Sequence, residues 1–181
     1  MSDPRVIETE RLILRPTAAE DVEPWIAMMG DEQTARFLGG VQPRQVAWRG
    51  CMAMAGAWSL TGVAMFSVVE KATGRWIGRL GPWTPDGWPG TEVGWTIVRE
   101  AWGKGYATEG AAAAMDYAVD VLGWSEIIHV IDPANAPSQR VAERLGSTNL
   151  RPGRLPAPFD GVTVDIWGQS ADAWRARRRS A

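Results

Sequence analysis

Alternation between apolar and polar residues predicts a strand near the start of the chain, followed by two helical regions. RLILRP, residues 11–16, alternates with the period of two that is typical of a half-buried strand. In the TAAE that follows, Thr17 can cap a helix and Glu20 can reach back to that cap. We predict that this helix ends at Gly30 and that residues 43–56 form a second, weakly patterned helix.

The middle of the chain has the pattern of an antiparallel sheet. VAMFSVVE at 63–70 and RWIGRLG at 75–81 are strand-like, and the turn KATG between them predicts a hairpin. Residues 82–90 are rich in proline and glycine, so we expect a loop there. Residues 92–98 are predicted to form a third strand.

The second half of the chain alternates between helices and strands. An alanine-rich helix is predicted from about residue 108 to 122, and Gly123 ends it. IIHVI, residues 127–131, is a continuous apolar run after a helix, which predicts a parallel crossover buried on both faces. A short helix over 137–145 and a strand over 162–168 complete the order. This order predicts the α+β class, with a mixed, mostly antiparallel sheet and one parallel crossover.

The composition is that of one ordinary globular domain. The 181 residues are 45% apolar and 22% charged, so we expect a single domain over residues 1–181. The formal net charge of −2 gives no overall basic field, so neither nucleic acid nor an anionic membrane is expected as a partner. The arginine-rich stretch 175–179 is interpreted as a solvated end of the chain.

The sequence also has no pattern typical of a signal peptide, a membrane span or a cysteine metal cluster. Charges at Asp3, Arg5 and Glu8 interrupt any apolar stretch, so no signal peptide is expected. No apolar run has the roughly 20 residues that span a bilayer. The single cysteine, Cys51, excludes a disulfide or a cysteine metal cluster, and its apolar neighbours predict burial. We therefore expect a cytoplasmic protein without a metal site.

The segment EAWGKGYATEG, residues 100–110, follows a predicted strand and begins a predicted helix. Such a turn directs backbone N–H groups and the positive end of the helix dipole to one point, which attracts phosphate. Gly103 and Gly105 allow close approach of a ligand, and Lys104 adds positive charge. A P-loop would need glycine in place of Val98, and a dinucleotide fingerprint would need a small residue in place of Thr108, so both motifs are excluded.

The same segment resembles the pyrophosphate loop of the Gcn5-related N-acetyltransferase (GNAT) superfamily, [QR]-x-x-G-x-[GA]. WGKGYATE departs at the first position, where Trp102 replaces Gln or Arg, and is similar to the branch of ribosomal-protein N-terminal acetyltransferases. The resemblance extends over ETERLILRP, VVEKATGRWIGRLG, EVGWTIV and NAPSQRVAERLG. It implies a GNAT fold, in which two central parallel strands splay into a V-shaped slot for acetyl-CoA, with helices on both faces of the sheet.

The resemblance also implies a set of cofactor-binding residues. The strand residues Trp95, Ile97 and Val98 would line the slot through their backbone. Asn135 and Ser138, from the pattern N-x-x-S, would lie near the pantetheine and the thiol. Backbone N–H groups of the loop would hold the pyrophosphate, namely those of Gly103, Lys104, Gly105, Tyr106, Ala107 and Thr108.

Acetyl transfer to an amine needs a base, a polarised carbonyl and a proton for the leaving thiolate. Glu92, at the start of the predicted slot strand, is the candidate base, and N–H groups around Ile97 or Val98 would polarise the carbonyl. Many superfamily members have a tyrosine seven residues after the asparagine, but this chain has Ala142. Ser138 or a water is therefore the candidate acid. His129 is interpreted as a packed sheet residue, with a catalytic base as the alternative.

The acceptor amine is expected against the first two helices and the loop 82–90. Either a peptide N-terminus or a small amine fits the resemblance, and a homodimer is left open. A silent acyl-CoA sensor or interaction module is the alternative function, and a nucleotide-dependent enzyme is a third. The candidate residues for the walls of the acceptor site are Trp25, Trp48, Trp83 and Trp88. The acidic residues that could attract the amine are Asp31, Glu32 and Asp86.

Overall fold

The computed structural model describes residues 5–180, so the first four residues of the segment tested for a signal peptide lie outside it. Its eight strands in the described part are β1 Ile7–Glu8, β2 Leu12–Arg15, β3 Phe66–Glu70, β4 Trp76–Trp83, β5 Glu92–Ile97, β6 Glu126–Ile131, β7 Thr148–Gly153 and β8 Val164–Ser170. The α-helices are α1 Val22–Gly30, α2 Glu32–Ala35, α3 Arg44–Leu60, α4 Tyr106–Asp120, α5 Ala136–Arg144 and α6 Ala171–Ser180. Short 3₁₀ turns cover Ala19–Asp21 and Arg99–Ala101.

All eight strands belong to one sheet, in the order β1-β2-β3-β4-β5-β6-β8-β7. Every neighbouring pair is antiparallel except β5 and β6, which are parallel and joined through α4. The α+β class and the single parallel crossover are therefore confirmed. None of the described helices is both long enough and apolar enough to cross a bilayer.

The parallel pair is incomplete, and this incompleteness creates the V-shaped splay. β5 and β6 are in register only at Glu92 and Ile128, where the Ile128 N–H donates to the Thr91 carbonyl at 2.9 Å. Beyond that point the two strands separate. The β6 strand continues its pairing on its other side, where six residue pairs join it to β8.

Helix α4 packs closely on the sheet because its inner face consists of small residues. Ala111, Ala114 and Ala118 are fully buried, and Gly110 lies against Leu80 of β4. An added Cβ at Gly110 would come within 2.5 Å of Leu80 Cδ2. The alanine-rich pattern thus sets the distance between the helix and the strands that carry the site.

The strand β7 and the helix α6, near the end of the chain, were not predicted, because neither has a regular pattern of apolar residues. β7 is almost fully exposed and contains Pro152, so it shows no alternation. The arginine-rich stretch, expected to be a solvated end, belongs to α6, where Arg177 and Arg179 are exposed but Arg175 and Arg178 are partly buried. Arg178 forms ion pairs with Asp116 at 2.6 Å and Asp120 at 2.8 Å, and Trp174 is buried beside them.

The predicted start of the first helix also needs correction. The Asp21 carboxylate, not Thr17, accepts a hydrogen bond at this turn, from the Ala18 N–H at 2.8 Å. Glu20 pairs with Arg15 at 3.1 Å instead of reaching back to Thr17. Asp21 is the third residue of this turn and makes the reach-back bond of a capping box, which the sequence pattern assigned to Glu20 one position earlier.

Gly168 of β8 should be intolerant of a side chain, because an added Cβ would lie 2.4 Å from the Ile127 carbonyl oxygen of β6. We expect Gly168→Ala to lower the free energy of unfolding by about 1–3 kcal/mol, since backbone must move. Gly56→Ala in α3, where nothing lies within 4 Å, is the control and should be neutral or stabilising by up to about 1 kcal/mol. Urea unfolding of both variants measures the difference, and equal stabilities would contradict the close approach.

Candidate active site

The backbone of β5 presents one set of polar groups to β4 and another to the splay. In an antiparallel pair these groups alternate in direction along the strand. The Val98 N–H donates to the Ile77 carbonyl at 2.9 Å, so Val98 faces β4 and the backbone groups of Val93, Trp95 and Ile97 face β6. The expectation that the Val98 N–H polarises a ligand carbonyl is therefore wrong.

Side chains bind part of the backbone that the splay leaves open. His129 Nδ1 lies 2.7 Å from the Val93 carbonyl, and Trp102 Nε1 donates to the Ile97 carbonyl at 2.6 Å. Since β5 and β6 pair only at Glu92, the N–H groups of Trp95 and Ile97 remain directed into the opening. They provide two donors at the centre of the splay.

The glycine segment turns sharply between β5 and α4. Gly103 and Gly105 both have positive φ, 74° and 82°, which favours glycine over any residue with a side chain. Gly105 is the N-cap of α4, and no side chain caps the helix there. The first N–H groups of α4 are therefore available to an anion, as the sequence predicts.

A clamp from the first strands holds this loop, and sequence reasoning missed it. The Glu109 carboxylate accepts hydrogen bonds from the Thr9 hydroxyl at 2.6 Å, the Arg11 N–H at 2.9 Å and Arg11 Nε at 2.6 Å. Arg11 Nη1 then donates to the Lys104 carbonyl at 2.9 Å. The last residue of WGKGYATE therefore positions the loop through Arg11.

A cleft of about 860 Å³ runs from the splay over the loop to α5, and we call it the long cleft. Nine of the eleven predicted cofactor-binding residues line it, whereas Val98 and Lys104 do not. The nine are Trp95, Ile97, Gly103, Gly105, Tyr106, Ala107, Thr108, Asn135 and Ser138.

Three cations that were not predicted from the sequence line the long cleft. They are Arg36, from the segment after α2, and Arg140 and Arg144 of α5. Arg140 and Arg144 are four residues apart and so share one face of the helix. Two arginines at this spacing, shortly after the N-x-x-S pattern, could have predicted these cations from the sequence. Together with the loop N–H groups, these cations fit the phosphates of a nucleotide cofactor.

A second, smaller space of about 270 Å³ lies on the other side of the splay, and we call it the inner cavity. Glu92, Arg79 and His129 contribute polar groups to its lining. It shares six residues with the long cleft, so the two spaces meet at one place: Phe37, Leu38, Trp95, Thr96, Asn135 and Ser138.

Glu92 is buried at the point where the strands separate. One carboxylate oxygen accepts a hydrogen bond from Trp88 Nε1 at 2.6 Å, and the other accepts from the Val130 N–H at 3.2 Å. Burial raises the pKa of Glu92 to about 7, against the opposing effect of these two hydrogen bonds and of the Arg79 charge. A carboxyl with this pKa exchanges protons near neutral pH, which is the property of a general base.

Both ring nitrogens of His129 are hydrogen-bonded to protein groups, so this residue has a structural role in the splay. Because Nδ1 faces the Val93 carbonyl, it carries the proton, and Nε2 accepts from the Ser147 hydroxyl at 2.9 Å. Ser147 in turn accepts from Gln169 Nε2 at 3.0 Å. Burial lowers the pKa of His129 to about 4, which keeps the ring neutral. This arrangement agrees with the packed-residue interpretation.

Asn135 and Ser138 lie together at the meeting point of the two spaces. The Asn135 side chain caps α5 by accepting from the Ser138 N–H at 3.2 Å. The Ser138 hydroxyl oxygen accepts from Trp95 Nε1 at 3.3 Å. Since that bond uses a lone pair of the oxygen, the hydroxyl proton is available to a ligand.

The predicted acceptor contacts are only partly in place. Trp83 and Trp88 line the inner cavity, but Trp48 is 48% exposed and lines neither space. Asp31 caps α2, accepting from the Thr34 N–H at 2.8 Å. Asp31, Glu32 and Asp86 are absent from both linings, so the predicted acidic attraction is wrong for these residues. The segment 155–164 between β7 and β8 supplies apolar walls that the sequence did not indicate.

Comparison with known proteins agrees with this geometry. A family model described as the acetyltransferase (GNAT) domain matches residues 11–148. The uncharacterised N-acetyltransferase p20 of Bacillus licheniformis is 31% identical over 140 residues, 76% of this chain and 79% of p20. An acetyltransferase structure from Agrobacterium tumefaciens is 27% identical with a TM-score of 0.81, covering 93% and 95% of the two chains.

The uncharacterised protein YkkB of Bacillus subtilis is 36% identical over 87 residues, but this match spans only 47% of the chain and 51% of YkkB. The family model alone covers well over half of the chain. The chain therefore belongs to the GNAT family of N-acetyltransferases, and the resemblance seen in WGKGYATE is confirmed. Among the described residues, no cluster of His, Cys, Asp and Glu is placed to hold a metal ion.

The pKa of Glu92 has a consequence for stability. The folded protein binds a proton with a pKa of about 7, against an ordinary value of 4.5, so it holds one more proton than the unfolded chain between these pH values. The free energy of unfolding should therefore fall by up to about 3 kcal/mol from this group as pH rises through that window. In Glu92→Gln this contribution is absent, so the stability of the variant relative to wild type should increase with pH.

Urea unfolding at three pH values across that window measures the difference. Glu126→Gln, at an exposed carboxyl at the start of β6, is the control and should shift stability by a constant amount. A constant difference for Glu92→Gln as well would show that the Glu92 carboxyl is ionised when folded.

Proposed function

We propose that the protein transfers an acetyl group from acetyl-CoA to a primary amine by direct attack in a ternary complex, within a single domain over residues 1–181. The observation that carries this proposal is the meeting of the long cleft and the inner cavity at six shared residues. A cofactor in one space and an amine in the other could react there. Family membership supports the same reaction.

The lining of the long cleft fits acetyl-CoA, which supplies the activated acetyl carbonyl. The N–H groups of Trp95 and Ile97 would bind the pantetheine and the carbonyl as strand partners. The N–H groups from Gly103 to the start of α4 would hold the pyrophosphate. Arg140 and Arg144 would neutralise phosphate charge at the far end.

Glu92 is the proposed base. The attacking amine must be neutral, and a carboxyl with a pKa of about 7 is substantially ionised at neutral pH. Both of its oxygens already accept hydrogen bonds from protein donors, but each keeps a further lone pair for a water or an amine. Burial in the inner cavity keeps it on the acceptor's side of the splay.

Ser138 is the proposed donor to the leaving thiolate. Its hydroxyl lies at the meeting point, where Trp95 Nε1 holds the oxygen and leaves the proton free. A thiolate is a stable leaving group, so a weak donor or a water is sufficient. The buried residue Ala142 stands where related proteins have tyrosine, so no phenol is available from that position.

The acceptor is proposed as a peptide N-terminus or a small amine, and WGKGYATE supports the ribosomal-protein branch. Calorimetric titration with acetyl-CoA, with ATP and NAD as controls, tests the cofactor. A screen for free thiol over peptides and amines tests turnover. Saturable binding with thiol release is the expected result. Binding without release from any amine would favour the sensor, and absence of binding would overturn the assignment.

Gly105→Glu should weaken acetyl-CoA binding by placing a carboxylate beside the pyrophosphate. The positive φ of 82° strains any substitution here, so Gly105→Gln is the matched control for strain alone. We expect the dissociation constant of Gly105→Glu to exceed that of Gly105→Gln by about tenfold or more. Calorimetry gives both constants. Wild-type affinity in both variants would refute the loop as the pyrophosphate site.

Glu92→Gln should reduce acetylation while leaving acetyl-CoA binding unchanged. The base is active when ionised, so the ratio of wild-type to variant kcat/KM should increase with pH and level off above about 7. Ionisation of the amine itself is common to both proteins and cancels in this ratio. We expect a loss of about 100-fold on the plateau. A ratio independent of pH would exclude Glu92 as the base.

A further inference from the structure

Arg79 is a cation in the inner cavity without an oxygen partner among the described residues. It lies on β4, and its guanidinium stacks over the Trp25 ring at 4.7 Å. Nη1 approaches only the Met65 sulfur, at 3.5 Å, and the buried Nε has no hydrogen-bond partner. A guanidinium has five N–H donors in a planar fork that matches a carboxylate, and here they are almost entirely unused.

Enclosing such a charge reduces stability unless something compensates it. Burial lowers the pKa of Arg79 to about 10, against the opposing effect of the Glu92 charge, and no described carboxylate forms an ion pair with Arg79 within 4.0 Å. Glu92 and Asp132 line the same cavity, but neither forms a direct hydrogen bond or ion pair with the Arg79 guanidinium. A half-buried guanidinium without a direct partner in a cavity favours a ligand of opposite charge.

The position of Glu92 defines where the two ends of such a ligand would lie. Arg79 is paired in register with Thr96, and Glu92 is four residues earlier on the same face of β5, about 13 Å away along the strand. Both long side chains project from this face, and Gly94 lies between them. The place of a Cβ at Gly94 is only 2.7 Å from Met65 Cε and 3.1 Å from Glu92 Oε1, so the glycine makes room for these two side chains over the strand between the charged groups.

The size of the cavity and its walls limit the rest of the ligand. About 270 Å³ is close to the lower end of small-molecule sites. Apolar side chains complete the walls, among them Met29, Leu155, Phe159 and Val162. The cavity thus has two carboxyls, Glu92 and Asp132, of which the buried Glu92 is suited to an amine, a guanidinium for an acid, and an apolar surface for a side chain.

We propose that the acceptor is a small amine that also carries a carboxylate, of the amino-acid type, and that Arg79 binds this carboxylate while the amine lies at Glu92. This proposal deepens the proposed function and rests on it. Arg79 is assigned as a specificity-determining residue that binds the acceptor and takes no part in proton transfer. Its charge also offsets the repulsion between the bound carboxylate and Glu92.

The test compares acceptors that differ only in the acid group. Free-thiol release is measured at saturating acetyl-CoA with L-alanine, L-methionine and L-phenylalanine, each beside its carboxamide. We expect kcat/KM to be about 10- to 100-fold higher for the acids. This preference opposes intrinsic reactivity, because the amine of a carboxamide is the weaker base and is more fully neutral. Equal or higher rates with the carboxamides would overturn the proposal and leave the acetyltransferase assignment intact.

A further pair identifies the source of the carboxylate. Met-Asp-amide and Met-Asn-amide carry or lack an acid on the second residue of a peptide. Preference for Met-Asp-amide over its partner, without a preference among free amino acids, would place the carboxylate on a peptide side chain. Preference confined to free amino acids supports the small acceptor.

Variants of Arg79 separate binding from packing. Arg79→Met should raise KM for the acids about 10- to 100-fold, bring the acid-to-amide ratio near one, and leave acetyl-CoA affinity unchanged. Arg79→Lys should keep part of the preference, and the exposed Arg75→Met is the control that should keep all of it. A purely structural Arg79 would instead lower the melting temperature and reduce the rates with acids and amides equally.

Direct binding decides the case in which acetyl-CoA binds but no amine is acetylated. N-acetylmethionine and its carboxamide are titrated into the CoA-loaded protein by calorimetry. Tighter binding of the acid in wild type, lost in Arg79→Met, supports the proposal. Equal binding of the two, or no binding of either, overturns it. Failure of acetyl-CoA itself to bind would instead overturn the proposed function.

Discussion

The separation of β5 from β6 after one residue pair is the constraint on which the site depends. Parallel strands that stop pairing expose backbone groups, and buried groups of this kind need partners. The side chains of His129, Glu92 and Trp102 bind three of these groups, so the splay stays open without a row of unpaired atoms. The N–H groups of Trp95 and Ile97 are left for a ligand. The opening is thus stabilised by side-chain hydrogen bonds as well as by the divergence of the two strands.

Two buried titratable groups in this opening, Glu92 and His129, have pKa values shifted in opposite directions. Burial raises the pKa of Glu92 and lowers the pKa of His129, in each case because it penalises the ion. Since the folded protein gains a proton at one group and loses one at the other relative to the unfolded chain, their effects on stability oppose each other over the pH range they share. Arg79 cannot discharge in this way, which is why it is the group that most favours an external partner.

Much of the fold could be predicted because its central elements are apolar and regular. IIHVI and the alanine-rich helix identified the crossover, and WGKGYATE identified the loop. The splay itself needs the register of strands that are distant in sequence. The cavity walls at 155–164 and the unpaired state of Arg79 depend on packing between segments that show no shared pattern. The error at Asp31 has the same origin, since its carboxylate caps a helix locally rather than facing the site.

The Arg11–Glu109 clamp makes the anion loop a long-range structure, although its sequence is short and local. Arg11 and Glu109 are 98 residues apart, so the clamp exists only while the segment between β1 and β2 is docked beside α4. We expect the edge of the sheet and the loop to open together in native-state fluctuations, because opening either one breaks the clamp. An anion that binds only the closed loop stabilises the closed state of both the loop and the sheet edge. Amide exchange in strand β2, on the other side of the clamp from the ligand, should therefore become slower.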